Sequence, residues 1–267
     1  MVLNKKSIKC YFVLLLLSIN ANVLAQINYF NSYDGNKIAY TDEGKGFPVL
    51  LIHGFINTSA SWNKTELKKD LLENGYRVIA PDLRGNGDSD KPHKDEAYTN
   101  DAEIEDLILL ANKLELNNYI AIGYSRGSVV LTKLLTRDKR ITKAVLGGMG
   151  IDFTNPNWDR RLLFAAAFDG KITKETKGAV DYAKSIGADL RALHLQQKYQ
   201  PVTSKKELSR IETKILVIAG DKDMDNGNPK YLQEAILNAK FRIVEGDHNG
   251  TYKTKSFALE VIKFLSK

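Results

Sequence analysis

The sequence predicts an α/β protein in which a doubly wound, mostly parallel sheet of about eight strands carries helices on both faces. Short apolar runs typical of buried strands alternate with longer segments of helical periodicity along most of the chain. The chain has 267 residues, of which 43% are hydrophobic. This length and composition are sufficient for one large domain with a full hydrophobic core.

The first 25 residues have the pattern of a secretory signal peptide. Three lysines precede an unbroken apolar run over residues 11–17, and Val23 and Ala25 occupy positions −3 and −1 of a cleavage site. The run is too short to cross a bilayer, which takes about 20 residues. The alternative to a cleaved signal peptide is an N-terminal anchor that is retained. We therefore expect cleavage after Ala25, a secreted or periplasmic protein and no stable membrane anchor.

Cleavage would change the cysteine content and the charge of the chain. Removing residues 1–25 leaves 242 of the 267 residues and takes away Cys10, the single cysteine, so no disulfide is expected in the mature protein. A domain of this size does not need one. Loss of the three lysines lowers the formal charge from +7 to +4. The remaining charges are mixed, with no basic stripe interleaved with aromatics, so a nucleic-acid partner is not expected.

The first part of the mature chain begins with a hairpin and continues with strand–helix units. Segments 27–33 and 37–41 flank the turn dipeptide Asp34-Gly35. The other predicted elements are strands 49–52, 76–80, 118–122 and 144–146 and helices 59–73, 99–116 and 128–135. These elements predict the first part of an α/β core over residues 26–150.

The alternation of predicted strands and helices stops between residues 151 and 213. The stretch contains several short helical patterns and no convincing strand pattern. Alternation then resumes with strand 214–219, helix 229–239, strand 241–244 and helix 255–265. The sequence therefore predicts a small helical lid over residues 151–213 and the second part of the core over residues 214–267.

Residues 123–127, Gly-Tyr-Ser-Arg-Gly, have the pattern of a nucleophile elbow between a predicted strand and a predicted helix. The sharp turn of an elbow brings strand and helix close together, so small residues are needed two positions before and after the serine. Gly123 and Gly127 meet this need. An isolated pattern of this kind also occurs in ordinary tight turns, so its context has to support the interpretation.

Other chemically active side chains follow the ends of later predicted strands. Asp221 and Asp223 follow strand 214–219, and His248 follows the last strand. Because the carboxyl ends of parallel strands meet at one edge of a sheet, we expect these side chains to lie close to Ser125. A serine hydroxyl needs a base such as an imidazole to attack. The chain order Ser, Asp, His is the order expected of this architecture.

In these motifs and their order, the chain resembles the α/β-hydrolase superfamily over essentially all of the mature sequence. It looks most like the single-domain, cofactor-free esterases and the perhydrolase-type members. The matching motifs are His53-Gly54-Phe55, the Asp-Leu-Arg-Gly-x-Gly-x-Ser loop over residues 82–89, the elbow, the Gly-x-x-Asp turn that ends at Asp223, and Gly246-Asp247-His248.

The resemblance implies a catalytic role for three residues. Ser125 would be the nucleophile, His248 the general base and later the acid, and Asp223 the carboxylate that orients the imidazole. The acid of the family lies three residues after the glycine, which favours Asp223, with Asp221 as the alternative. The resemblance implies no metal and no cofactor.

The resemblance also implies where the oxyanion would be held. Its donors would be the backbone N–H groups of Phe55 and Arg126, while His53 would shape the loop that carries the first of them. The Arg126 side chain either recognises an anionic acyl group or contacts solvent and lid. In the predicted lid, Trp158, Phe164 and Phe168 either bind substrate or form the core of the lid itself.

These observations lead to the expectation of a secreted serine hydrolase that cleaves small to medium carboxylic esters through an acyl-enzyme. Serine at the elbow separates the chain from the dehalogenases and epoxide hydrolases of this fold, which use aspartate there. A compact lid argues against a long-chain triglyceride lipase. The alternatives are a C–C bond hydrolase or perhydrolase with the same triad, or a non-catalytic protein that binds a small ligand. The oligomeric state stays open.

Overall fold

The computed structural model describes residues 26–223 and 226–267, so the predicted signal peptide lies outside the described residues. Eight strands form one sheet. Their bounds are β1 Ile27–Asn31, β2 Lys37–Glu43, β3 Pro48–Ile52, β4 Arg77–Pro81, β5 Tyr119–Tyr124, β6 Ile141–Gly147, β7 Lys214–Gly220 and β8 Ala239–Val244.

The strands lie in the order β1-β2-β4-β3-β5-β6-β7-β8. The hairpin β1–β2 is antiparallel, β2 pairs antiparallel with β4, and all the other pairs are parallel. All six residues of β5, in the middle of the sheet, are buried. Burial on both faces explains why such strands are unbroken apolar runs in the sequence. The structure confirms the predicted fold class.

Helices cover both faces of the sheet and fill the stretch between β6 and β7. Their bounds are α1 Glu66–Glu73, α2 Ala102–Lys113, α3 Arg126–Arg137, α4 Asp159–Phe168, α5 Lys174–Ser185, α6 Leu190–Lys198, α7 Lys205–Leu208, α8 Pro229–Glu234 and α9 Lys255–Leu265. Within residues 26–223 and 226–267, no helix combines the length and the apolar character needed to cross a membrane.

Two separate hydrophobic clusters lie on the two faces of the sheet because neighbouring strand residues point to opposite sides. In β3, Leu50 and Ile52 belong to a cluster with apolar residues of α2, α3 and α8. Val49 and Leu51 belong to a second cluster with apolar residues of α1 and α9. The chain therefore has a core on each side of its sheet.

Four predicted helices have different bounds in the structure, and one of them, α3, only extends the predicted segment 128–135 by two residues at each end. The segment predicted as helix 59–73 is a short 3₁₀ turn over Ser59–Trp62 followed by α1, which starts afresh because the Thr65 side chain caps its N-terminus. Helix α2 starts at Ala102, after Asn100 and Asp101 in left-handed conformations. The helix predicted over residues 229–239 ends at Glu234 in the structure.

The four helices α4 to α7 lie between β6 and β7, where the sequence predicts a helical lid. No strand occurs among residues 151–213, all of which the structure describes. Buried residues of α4, α5 and α6 form a hydrophobic cluster of their own, which also includes Ile56 from the loop after β3. This cluster packs the helical segment against the carboxyl edge of the sheet.

Candidate active site

Ser125 lies on the turn between β5 and α3 in a strained conformation, with φ 53° and ψ −126°. Such a backbone costs about 1–3 kcal/mol for a residue other than glycine. The turn closes only with glycine on either side. A Cβ on Gly123 would lie 2.4 Å from the carbonyl oxygen of Gly127, and a Cβ on Gly127 would lie 2.2 Å from that of Ile52. The strand–turn–helix geometry predicted for this motif is therefore present.

A chain of hydrogen bonds joins Ser125, His248 and Asp223. The Nε2 atom of His248 lies 2.8 Å from Ser125 Oγ, and its Nδ1 atom lies 2.9 Å from both carboxylate oxygens of Asp223. Asp223 is 4% exposed. The structure thus brings together the three side chains that the sequence selected, with the carboxylate buried behind the imidazole.

The turns after β7 and β8 position the acid and the imidazole. Asp223 follows β7 and His248 follows β8, and the two turns touch, since a Cβ on Gly220 would lie 2.1 Å from the carbonyl oxygen of Gly246. Asp221 is exposed and accepts a hydrogen bond from the N–H of Gly246 at 2.9 Å. Asp221 therefore ties the two turns together, and Asp223 is the carboxylate that contacts His248.

Tyr124 and Asn226 also hold His248, although the sequence predicts no role for either. The Tyr124 hydroxyl donates to the carbonyl oxygen of His248 at 2.8 Å, and burial raises the pKa of this hydroxyl so that it stays protonated. Asn226, 5% exposed, places its amide nitrogen 3.2 Å from both ring nitrogens of His248. Tyr124 lies inside the elbow motif, whereas nothing in the sequence around Asn226 marks it.

Two backbone N–H groups, those of Phe55 and Arg126, lie near Ser125 without an acceptor among the described residues. Arg126 is the first residue of α3, so its N–H has no acceptor within the helix. The N–H of Phe55 makes no hydrogen bond to another described residue. The Gly54–Phe55 backbone lies beside the serine, since a Cβ on Gly54 would lie 3.2 Å from the Cβ of Ser125. Both N–H groups can therefore donate to a ligand at the elbow.

The two terminal nitrogens of the Arg126 side chain bond within the protein, whereas its Nε has no partner among the described residues. The side chain is 4% exposed, donates to both carboxylate oxygens of Glu103 at 2.9 and 2.6 Å, and donates to the carbonyl oxygen of Gln196 at 3.0 Å. Of the two roles left open by the sequence, recognition of an anionic acyl group does not fit this geometry. The side chain instead links α3 to α2 and to α6 of the helical segment.

His53 holds the loop that carries Phe55. Its side chain is buried, Nδ1 lies 2.8 Å from the carbonyl oxygen of Gly54, and Nε2 accepts the N–H of Leu83 at 3.0 Å. These partners define a neutral ring that is protonated at Nδ1. Burial lowers the pKa of His53, which favours the same neutral form. The structural role that the resemblance implies for His53 agrees with this geometry.

A cavity of about 530 Å³ opens at Ser125 between the sheet edge and the helical segment. Trp158 and Phe164 line it, as one of the two alternatives from the sequence requires. Phe168 does not. It is 5% exposed and belongs to the cluster of α4, α5 and α6, with its ring 5.2 Å from that of Phe55. For Phe168 the geometry fits the other alternative, the core of the helical segment, because its side chain packs inside that segment and does not line the cavity.

Among residues 26–223 and 226–267, no group of three or more His, Cys, Asp or Glu side chains is arranged to hold a metal ion.

Part of the chain matches the model of a known protein family. The family model described as "alpha/beta hydrolase fold" matches residues 48–170, which include the elbow but end before Asp223 and His248. A bromoperoxidase structure from Bacillus anthracis superimposes with a TM-score of 0.70 at 24% identity, covering 91% of this chain and 100% of that one. With its sheet, its elbow and these matches, the chain has the α/β-hydrolase fold, and its residues 48–170 are similar to that family.

Curated relatives match over shorter segments. A putative non-heme chloroperoxidase from Synechocystis sp. is 42% identical over 111 residues, which are 41% of this chain and 39% of that protein. A 2-hydroxymuconate semialdehyde hydrolase from Pseudomonas sp. is 30% identical over 160 residues, 54% of this chain and 56% of that protein. The chain thus matches about half or less of the length of these relatives, and their names indicate hydrolases and related enzymes.

Proposed function

We propose that the protein is a serine hydrolase that cleaves carboxylic esters of small to medium size through an acyl-enzyme. The observation that carries this proposal is the hydrogen-bonded chain from Asp223 through His248 to Ser125 at the wall of an open cavity. A cavity of about 530 Å³ is within the usual size of small-molecule sites.

In the proposed reaction, Ser125 Oγ attacks the ester carbonyl carbon while His248 Nε2 takes the hydroxyl proton. Asp223 accepts the hydrogen bond of the Nδ1–H and stabilises the imidazolium that forms. The backbone N–H groups of Phe55 and Arg126 stabilise the oxyanion, and each such donor contributes about 10²–10³-fold in turnover. His248 then protonates the leaving alcohol, and water releases the acid by the same steps in reverse.

The serine at the elbow also bears on the other reactions found among relatives. Opening an epoxide through a covalent ester needs a carboxylate nucleophile at the elbow, and this chain has Ser125 there. C–C bond hydrolysis, favoured by the similarity to a semialdehyde hydrolase, and perhydrolysis, favoured by the similarity to a chloroperoxidase, could use the same three residues. In perhydrolysis, hydrogen peroxide replaces water as the acceptor of the acyl group.

The first experiment is to label the purified protein with a fluorophosphonate and to locate the adduct by mass spectrometry. We expect the adduct on Ser125, its loss in Ser125→Ala, and full labelling of Ser209→Ala, which removes an exposed serine. Hydrolysis of p-nitrophenyl butyrate should follow the same pattern. A folded protein with neither label nor hydrolysis would refute the proposal and favour a non-catalytic binding protein.

We also propose that the protein is exported and cleaved after Ala25, on the sequence pattern alone. The mass of the protein recovered from periplasm and medium tests this proposal. A product that begins at Gln26 would support it, and an intact N-terminus in the membrane fraction would refute it.

A further inference from the structure

One wall of the cavity at Ser125 is polar and cationic, and the mechanism proposed above does not use it. Among the described residues, no aspartate or glutamate lines the cavity. Four side chains from α4, α6 and the residues just after α6 form this polar wall, which we call the anion wall: Arg160, Arg161, Gln197 and Gln200.

Arg161 is the main charge of the anion wall. Its guanidinium donates only to backbone carbonyl oxygens, those of Lys198 and Pro156, and its Nε is buried with no hydrogen-bond partner among the described residues. Burial lowers the pKa of Arg161, and no described acid compensates for it. Arg161 is half-buried, and a partly desolvated guanidinium without a carboxylate is costly because the desolvation of its charge is not fully repaid within the protein.

Arg160 adds a second positive charge beside it. Its Nε donates to the side-chain oxygen of Asn226 at 3.0 Å, and its guanidinium lies 5.0 Å from the centre of the Phe164 ring. These contacts hold the group between the aromatic part of the cavity and the residue that touches His248. The charge of Arg160 is thereby placed close to the reacting atoms.

Gln197 and Gln200 complete the wall with neutral donors. They are 6% and 5% exposed, yet neither side-chain amide forms a hydrogen bond with another described residue. Buried amides in folded proteins nearly always have a partner. Because both side chains line the cavity, their free amide groups are available to a molecule inside it.

We propose that the anion wall binds a carboxylate group of the substrate, so that the physiological ester carries a free acid beside the scissile bond. A guanidinium fork matches the two oxygens of a carboxylate, and the amide N–H groups of Gln197 and Gln200 can share the same anion. A half-ester of a dicarboxylic acid has this chemistry, as does an ester whose alcohol carries the acid. This inference rests on the proposed ester hydrolysis.

Two pairs of esters test the inference and locate the acid. The acyl-side pair is mono-p-nitrophenyl glutarate and its methyl ester, which removes the charge. The alcohol-side pair is p-acetoxybenzoate and methyl p-acetoxybenzoate. We expect kcat/KM to be at least tenfold higher for the acid in one pair, and that pair identifies the side of the scissile bond. Equal or lower values for the acid in both pairs would overturn the inference.

Variants of Arg161 then assign the preference to the anion wall. In Arg161→Gln, the ratio of kcat/KM for acid over neutral ester should fall about 10–100-fold, which corresponds to loss of a charged hydrogen bond. Arg161→Lys keeps the charge without the fork and should retain part of the ratio. Arg210→Gln removes an exposed arginine outside the cavity and is the control. A ratio unchanged in Arg161→Gln would mean a structural role only and would refute the assignment.

A binding measurement separates this inference from the proposed function. Trp158 lines the cavity, while Trp62, the other tryptophan, is fully buried in the core. Glutarate titrated into Ser125→Ala should change the tryptophan fluorescence saturably, and Arg161→Gln in the same background should weaken the binding at least tenfold. Such binding without ester hydrolysis by the wild type would support the anion wall and refute the esterase. Hydrolysis of neutral esters without glutarate binding would support the esterase and refute the anion wall.

Discussion

The hydrogen bonds around His248 decide both its orientation and which ring nitrogen faces the serine. Nδ1 faces the buried carboxylate of Asp223, which is acceptor-only when ionised, so this nitrogen carries the proton. Nε2 is then free to accept the proton of Ser125. The neighbouring carboxylate of Asp221 is engaged with the N–H of Gly246 and has no part in this chain.

Substitution of the two aspartates tests this assignment. Asp223→Asn should lower kcat about 10³–10⁴-fold, because an amide can stabilise the wrong tautomer of His248 and carries no charge to balance the imidazolium. Asp221→Asn, two residues away and exposed, should change kcat by only a few fold. Steady-state hydrolysis of p-nitrophenyl butyrate measures kcat for both variants. A larger loss of kcat in Asp221→Asn would assign the role of the acid to Asp221 instead.

His53 leads to a prediction about pH and stability. Burial lowers its pKa below the ordinary value of 6.5, so the unfolded chain takes up a proton that the folded protein excludes. The free energy of unfolding should therefore fall as pH drops below about 6.5. Urea denaturation between about pH 7 and pH 5 should show a smaller fall for His53→Gln than for the wild type. His93→Gln, which alters an exposed histidine, serves as the control, and equal slopes for wild type and His53→Gln would contradict the prediction.

At the scale of elements, one buried ion pair joins three helices next to the elbow. Glu103 on α2 and Arg126 at the start of α3 are each about 5% exposed, and Arg126 also donates to the carbonyl oxygen of Gln196 on α6. The helical segment is thereby connected to the turn that carries Ser125. A loss of this pair would leave a buried positive charge without a partner.

Glu103→Gln should lower the free energy of unfolding by about 3–5 kcal/mol, because it leaves the Arg126 charge buried and uncompensated. Glu105→Gln removes a half-exposed carboxylate on the same helix, which pairs with Arg137, and should cost no more than about 1 kcal/mol. Denaturant unfolding of the two variants measures the difference. Equal effects would show that burial adds nothing to the Glu103 pair.

Helix boundaries show where periodicity in the sequence is insufficient. The apolar pattern over residues 59–73 predicts one helix, but the Thr65 side chain accepts the N–H of Lys68 and starts α1 anew. The helix predicted to begin at residue 99 begins instead at Ala102, after Asn100 and Asp101, which both adopt positive φ. Such local hydrogen bonds compete with the helix for the same backbone groups, and periodicity does not reveal which of them forms.

At the scale of the whole molecule, the two hydrophobic clusters on opposite faces of the sheet hold the elbow in place. Phe257 on α9 is fully buried, and its ring centre lies 5.9 Å from that of Tyr124, which is the residue directly before Ser125 in the sequence. The opposite face of the sheet, away from α9, is covered by α2, α3 and α8. Packing remote from the cavity therefore supports the strained turn.

Phe257→Ala should lower the free energy of unfolding by about 3–5 kcal/mol, through lost burial and the cavity left behind. Leu259→Ala on the same helix alters a side chain that is 54% exposed and should change it by no more than about 0.5 kcal/mol. Thermal and urea unfolding measure both. A small effect of Phe257→Ala would contradict this prediction and would mean that neighbouring core side chains move to fill the cavity left by the phenyl ring.

The sequence by itself determined the strand order along the chain, the confirmed fold class and the elbow, because these depend on local patterns. Buried parallel strands require apolar runs, and the approach of β5 to α3 requires Gly123 and Gly127. The tertiary structure decided what depends on distant parts of the chain. Only packing shows that Asp223 meets His248 while Asp221 does not, that Phe168 is buried within the helical segment, and that polar side chains with no local motif face the cavity. Contacts between residues far apart in sequence are set by the geometry of the whole sheet, and no short pattern records them.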